Sequence, residues 1–127
     1  MSAGKTAVIG RALSGLAIVF LTLDTAMKLV ELPIVGETLS ALGYAPDLGL
    51  TIGIVELVCV VAYAVPRTAV LGAILLTALF GGGIASHIRV GSPLFSHILF
   101  GVYLGLFVWG GLYLRSARLR ELIPVSA

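Results

Sequence analysis

The sequence is poor in charge. Lysine, arginine, aspartate and glutamate make up 11% of its 127 residues against 59% hydrophobic, and the mean hydropathy is +1.14. Soluble domains carry about a quarter charged residues, so this composition excludes them and indicates an integral membrane protein whose first partner is the lipid bilayer. Cysteine is also scarce. Cys59 stands alone inside an apolar run, which excludes an internal disulfide or redox dithiol and leaves a small buried hydrophobe. The basic residues form no patch interleaved with aromatics, so the net charge of +2 gives no reason to expect a nucleic-acid partner. A processing site is missing as well. Lys5 and Arg11 precede the apolar run 12–23 in the manner of a signal peptide, yet no small-x-small motif follows before Asp24 and Lys28, and the apolar pattern then resumes. A retained helix is the expectation.

What is present is length in the apolar runs. Four segments, 8–30, 48–65, 68–86 and 93–114, are each long enough as helices to cross a hydrocarbon core of about 30 Å. The punctuation agrees with this division. Pro33 and Gly36 follow the first segment, Gly43 and Pro46 precede the second, "VPRT" separates the second from the third, and Gly91 and Pro93 close the last gap. The fold expected is a single all-α domain over 1–127, an integral membrane four-helix transmembrane bundle. Lys5, Arg11, Arg67, Arg115, Arg118 and Arg120 then fall on one side, with Glu31, Glu37, Asp47 and Arg89 on the other. The basic bias places both termini in the cytoplasm. The one long connection, 31–47, reads either as a short helix in the outer interface with Tyr44 anchored at headgroup depth, or as a loop lining the mouth of the bundle.

The stretch "LTLDTAMKLVEL" at 21–32 poses the functional problem, because it places Asp24 and Lys28 inside a span, where charge costs several kcal/mol. Asp24 comes out about 9 Å below the outer end of the first span and Glu56 about 12 Å deep in the second. His87 and Arg89 end the third span, and His97 lies one turn into the fourth. The ionisable groups therefore gather in the outer half, over an inner half expected to be packed by glycines such as Gly81, Gly82, Gly83, Gly101 and Gly105. Leu21, Asp24, Thr25 and Lys28 share one helical face, and Gly49, Gly53, Glu56 and Tyr63 share another. Asp24 and Lys28 at i, i+4 can brace one helix, with Lys28 reaching for the interface. Glu56 has no basic neighbour within a turn on its own helix and needs a partner from another. Asp24 is expected to face Lys28 and a group on another helix, His97 or His87. No HxxE, HExxH or CxxC spacing is present, so no metal is expected, and no haem signature accompanies the histidines. Two carboxyls and two imidazoles in a desolvated pocket suit acid–base chemistry. Asp24, Glu56, His87 and His97 are the catalytic candidates, and Lys28, Arg89 and Tyr63 the binding candidates.

The same residues carry a resemblance. The pattern D-x-x-x-K-L at 24–29, G-I-x-E-L at 53–57, "GGGIASHIRVGSP" at 81–93, His97 and the closing "YLRSARLREL" at 113–122 resembles the DoxX-like family of small four-helix bacterial membrane proteins. The resemblance implies the bacterial inner membrane and an association with membrane redox systems, including quinol oxidation and defence against thiol and oxidative stress. Some relatives are thought to use paired cysteines, whereas this chain has Cys59 alone.

Three functions follow as expectations. The first is an outward-facing pocket that binds a small lipophilic molecule, a quinone or another redox-linked metabolite. The second is an enzyme performing isomerisation or epoxide opening with Glu56 and Asp24 and a histidine. The third is a small proton-coupled transporter, for which the deep carboxylate stands in an unusual span. The cofactor is open. A homodimer through ridges such as Gly101 and Gly105, or a redox-enzyme partner, completes the set of expected associations.

Overall fold

The computed structural model describes residues 2–124. Helix α1 (Ala3–Leu29) starts at Ser2, whose hydroxyl accepts the Lys5 amide at 3.2 Å, a hydrogen bond that satisfies one of the orphan donors of the first turn. Glu31, in the left-handed region at φ 54°, turns the chain, and Pro33 then opens the short helix α2 (Pro33–Ala41) at a position where its missing donor is not needed. Helix α3 (Leu48–Ala64) leads through a single 3₁₀ turn at Pro66–Thr68 into α4 (Ala69–Val90). Gly91 ends α4 in the left-handed conformation, φ 71°, and the Gly91 and Ser92 amides return to the Ile88 and His87 carbonyls. After Pro93 the chain makes one π-helical turn, Leu94–Ile98, before α5 (Phe100–Arg115) and the short α6 (Ala117–Leu122).

The four long helices run alternately up and down. Helix α1 packs on α3 and α5, and α4 packs on the same two, so sequence neighbours surround a common axis and α5 closes the ring on α1. This is an all-α membrane helical bundle. Three of its segments, Gly4–Leu29, Pro66–Val90 and Leu94–Arg115, are long and apolar enough to cross a bilayer. Helix α3 is apolar but has 17 residues, about 26 Å by helical rise. The outer surface is apolar: Leu16, Val19, Leu23, Val58 and Leu106 are all well exposed, which suits contact with lipid tails.

The bundle has two unlike ends. The end that gathers the start of α1, the α3–α4 turn and α6 is closed. A Cβ on Gly10 would lie 2.7 Å from the Gly111 carbonyl oxygen of α5, and one on Gly72 would run into the Tyr63 backbone of α3, so glycine is what lets these helices meet. Tyr63 is buried between them; its hydroxyl donates to the Val108 carbonyl at 2.6 Å and lies 2.8 Å from Ser14 Oγ, which also receives Arg115 Nε at 3.1 Å. The glycines expected to pack the bundle are different ones. A Cβ on Gly81, Gly82, Gly83 or Gly105 would meet nothing within 4 Å, and of that set Gly101 alone packs closely, against Ile84 of α4.

Two expectations about connections are revised. The fourth span is not one continuous α-helix from Pro93, because His97 and Ile98 both return their amides to the Pro93 carbonyl and Leu99 returns to Leu94, which widens the first turn. The 31–47 connection is a helix and a lining at once: Ile34, Thr38 and Leu42 on or just past α2 border the open end of the bundle.

Candidate functional site

At the open end, α1, α2, α3, α4, the turn before α5 and the first turns of α5 surround a cavity of about 610 Å³. Most of its wall is apolar, with Phe20, Leu21, Phe80, Phe100 and Leu104 among the contributors, and apart from Thr38, whose hydroxyl donates to the Ile34 carbonyl of its own helix, the polar residues fall in two clusters.

The first cluster stands on α1 and α3. Lys28 Nζ donates to Glu56 Oε1 at 2.6 Å and also to Asp24 Oδ2. Thr25 Oγ1 donates to the other Glu56 oxygen, Oε2, at 2.8 Å. Local sequence makes this possible. Spacing of four puts Asp24 and Lys28 on one face of α1, Thr25 lies beside them, and Gly53 allows α3 to approach so closely that a Cβ there would lie 2.8 Å from Lys28 Cβ. Glu56 is 2% exposed and both its oxygens are occupied, as a buried carboxylate requires. Asp24 differs, since 38% of its side chain remains accessible and Oδ1 has no donor among the described residues. The partner that joins Asp24 to another helix is therefore Glu56 through Lys28, in place of the expected histidine. Lys28 bends inward, in place of reaching for the interface.

The second cluster stands on α4 and the π-helical turn. The rings of His87 and His97 meet edge to face at 5.4 Å between centroids. Each is held through Nδ1 by a serine hydroxyl, Ser92 Oγ at 2.9 Å for His87 and Ser96 Oγ at 2.7 Å for His97. Neither Nε2 is hydrogen-bonded among the described residues. Nearby, Tyr44 OH lies 2.6 Å from Ser86 Oγ. Ser86 donates its one hydroxyl hydrogen to the Gly82 carbonyl at 2.8 Å, which leaves Tyr44 as the donor of the pair.

A sequence model of the DoxX-like family matches residues 12–111. The chain belongs to the DoxX-like family. No curated protein and no solved structure matches it. Family membership and the apolar helices together make it a membrane protein. The match runs from within α1 to within α5 and includes α2, α3, α4 and both polar clusters.

In this DoxX-like protein the structure brings five of the seven candidate residues, Asp24, Lys28, Glu56, His87 and His97, to one cavity. It separates the other two. Tyr63 lies in the closed end, bonded to Ser14 and Val108, because the face it shares with Glu56 runs two turns further along α3 into the tightly packed region. Arg89 is exposed, beyond the cavity rim at the end of α4. Tyr44, expected at headgroup depth, lines the cavity and bonds Ser86 there. Ser86, Phe20 and Phe100 are lining residues that spacing alone did not single out. The available signal was the ladder Phe20, Asp24, Lys28, each four residues apart and so one above the next on α1. Chemically, the arrangement offers a sealed ion pair, a carboxylate oxygen with room beside it, and two imidazole nitrogens across an apolar space.

Proposed function

We propose that the cavity binds a small amphipathic molecule from the membrane, whose polar group lies between the Asp24 cluster and the histidine pair and whose apolar part lies along Phe20, Phe80 and Phe100. The observation that carries this reading is the cavity itself. Its volume, about 610 Å³, falls in the range of small-molecule sites, and its few polar groups converge inside apolar walls. The topology adds an orientation. Lys5, Arg11, Arg67, Arg115, Arg118 and Arg120 belong to the closed end and Glu31, Glu37, Asp47 and Arg89 to the open one, and this basic bias supports a reading with both termini in the cytoplasm and the cavity mouth on the outer side of a bacterial inner membrane. Mass spectrometry of the protein released intact from lipid nanodiscs tests the reading. The wild-type protein should carry a small bound molecule, and Gly83→Phe, which projects into the cavity where a Cβ meets nothing within 4 Å, should lose it without losing the fold. A wild-type protein that binds nothing, or a Gly83→Phe variant that retains the ligand, sinks the proposal.

A second reading is favoured by one observation. Both imidazoles are oriented through Nδ1 by serine hydroxyls, with Nε2 unengaged; two oriented rings at one cavity are suited to moving a proton on a bound molecule. Conversion of the bound molecule that stops in His97→Gln while binding persists would support catalysis; conversion that is unaffected would exclude His97 from it.

A further inference from the structure

We propose that the ligand of this cavity is a lipophilic cation, an ammonium-bearing amphiphile, with Asp24 as its counter-ion. This rests on the reading of the cavity as a ligand site and goes on to name the ligand's charge. The argument is one of ionic valence. Lys28 faces two carboxylates, and Glu56 already has both oxygens occupied, by Lys28 and by Thr25. Lys28 is shared between Glu56 and Asp24, so with both carboxyls ionised the cluster carries one excess formal negative charge, and the carboxylate oxygen left without a donor among the described residues is Asp24 Oδ1.

The exposure of the three side chains follows that division. Glu56 is 2% accessible and Lys28 21%, while Asp24 is 38% accessible, lines the cavity and keeps Oδ1 unpaired among the described residues. A carboxylate beside an apolar space inside a bundle is costly unless a cation neutralises it. A ligand anion at this position would meet that carboxylate, and the one lysine beside it, Lys28, is already engaged by two carboxylates; the histidines that line the same cavity belong to the other cluster. A neutral alcohol would satisfy the oxygen and leave the charge.

A second feature points the same way independently of the carboxylates. Phe20 lies one turn before Asp24 on the same face of α1, and its ring meets that of Phe100 edge to face at 5.3 Å, both bordering the cavity. Aromatic rings next to a counter-ion stabilise an ammonium group through their negative faces and accept its alkyl substituents as apolar contacts. The α1 ladder thus presents a lysine, a carboxylate and an aromatic ring in order, with the unfilled position beside the last two.

The test uses three probes of one skeleton, 4-phenylbutylamine, 4-phenylbutanol and 4-phenylbutyrate, titrated calorimetrically at pH 7 into the full-length protein in phosphatidylglycerol nanodiscs, with empty nanodiscs subtracted. The amine should bind, the butyrate should not, and Asp24→Asn should weaken the amine about tenfold while leaving the alcohol unchanged. Asp24→Glu should keep most of the amine affinity, which guards against a variant that merely misfolds. An amine that binds no differently in Asp24→Asn, or a butyrate that binds as well as the amine, overturns the assignment of charge while the alcohol's binding upholds the cavity as a ligand site. Failure of all three probes to bind overturns both. Replacing the lipid by phosphatidylethanolamine separates two sources of the same chemistry: loss of amine binding identifies a lipid headgroup ammonium as the occupant, and unchanged binding identifies a free amine.

Discussion

The two ends of this bundle are held together by different physics. At the closed end, Gly10, Gly72 and Gly111 bring helix backbones into contact, and the polar groups there, Ser14, Tyr63 and Arg115, are spent on one another and on the Val108 carbonyl. At the open end α1 and α3 meet at Gly53, where the Lys28–Glu56 ion pair joins them with Thr25 beside it, and beyond that contact the helices stand apart around a cavity. The first arrangement depends on shape and tolerates no added volume. The second depends on charge, leaves volume unfilled, and leaves one carboxylate oxygen unpaired. A cavity in a membrane bundle needs both, a rigid base and an ionic brace in its wall that leaves the space beside it open.

The largest effect should come from removing the brace. Lys28→Met leaves Asp24 and the buried Glu56 facing each other without a cation, and should destabilise the protein by about 3 kcal/mol, since breaking one side of a buried pair strands the other charge. Lys28→Met combined with Glu56→Met should be more stable than Lys28→Met alone, and thermal unfolding followed in nanodiscs would reveal it. If the double variant is no better than the single one, the open end is not held by charge.

Next comes the closed end. Gly72→Val drives a branched side chain into the Tyr63 backbone and should cost about 2 kcal/mol through overpacking. Gly81→Ala, where a Cβ meets nothing within 4 Å, should fall within about 0.5 kcal/mol of the wild type and is the matched control. Equal melting temperatures for the two variants would erase the distinction between the ends. Tyr63→Phe should cost about 1.5 kcal/mol, because the buried Val108 carbonyl loses the donor the phenol supplies. Ligand binding should be unchanged in it.

The number of long helices and the convergence of polar groups were legible in the sequence because both follow from periodicity: apolar length marks the helices, and Asp24, Lys28 and Glu56 fall at similar height once the helices alternate in direction. The pairing of Glu56 with Lys28 was not legible. Depth says that the two are level but not which faces of α1 and α3 are opposed, and that is decided by Gly53 allowing the helices to close. The glycines misled for the same reason, since a glycine-rich face at 81–83 reads as a packing surface whether the neighbouring helix is there or a cavity is. Tyr63 shares its face with Glu56, and period alone cannot say that the face passes from the cavity into the packed base. The helix at Pro33–Ala41 was one of two readings of a proline-bounded connection, and only tertiary packing places Tyr44 against Ser86.

Of the changes that remove an interaction, Tyr44→Phe should have the smallest effect on stability, and it is the sharpest comparison because it repeats the Tyr63 change at the other end. The Tyr44 hydroxyl donates to Ser86 Oγ, but Ser86 keeps its own bond to the Gly82 carbonyl when that donor is lost. Tyr44 itself is 43% exposed. No buried acceptor is stranded, so the cost should stay under about 1 kcal/mol. What the bond does hold is the segment after α2, a part of the wall supplied by a connection and not by a long helix. Its loss should let that segment open more often, raising both the entry and the exit rates of a cavity probe such as 4-phenylbutylamine while its equilibrium affinity changes little. Stopped-flow rates in nanodiscs check this directly. A melting temperature lowered as far as in Tyr63→Phe, with rates unchanged, would mean that the α2 segment belongs to the rigid base and not to the open end.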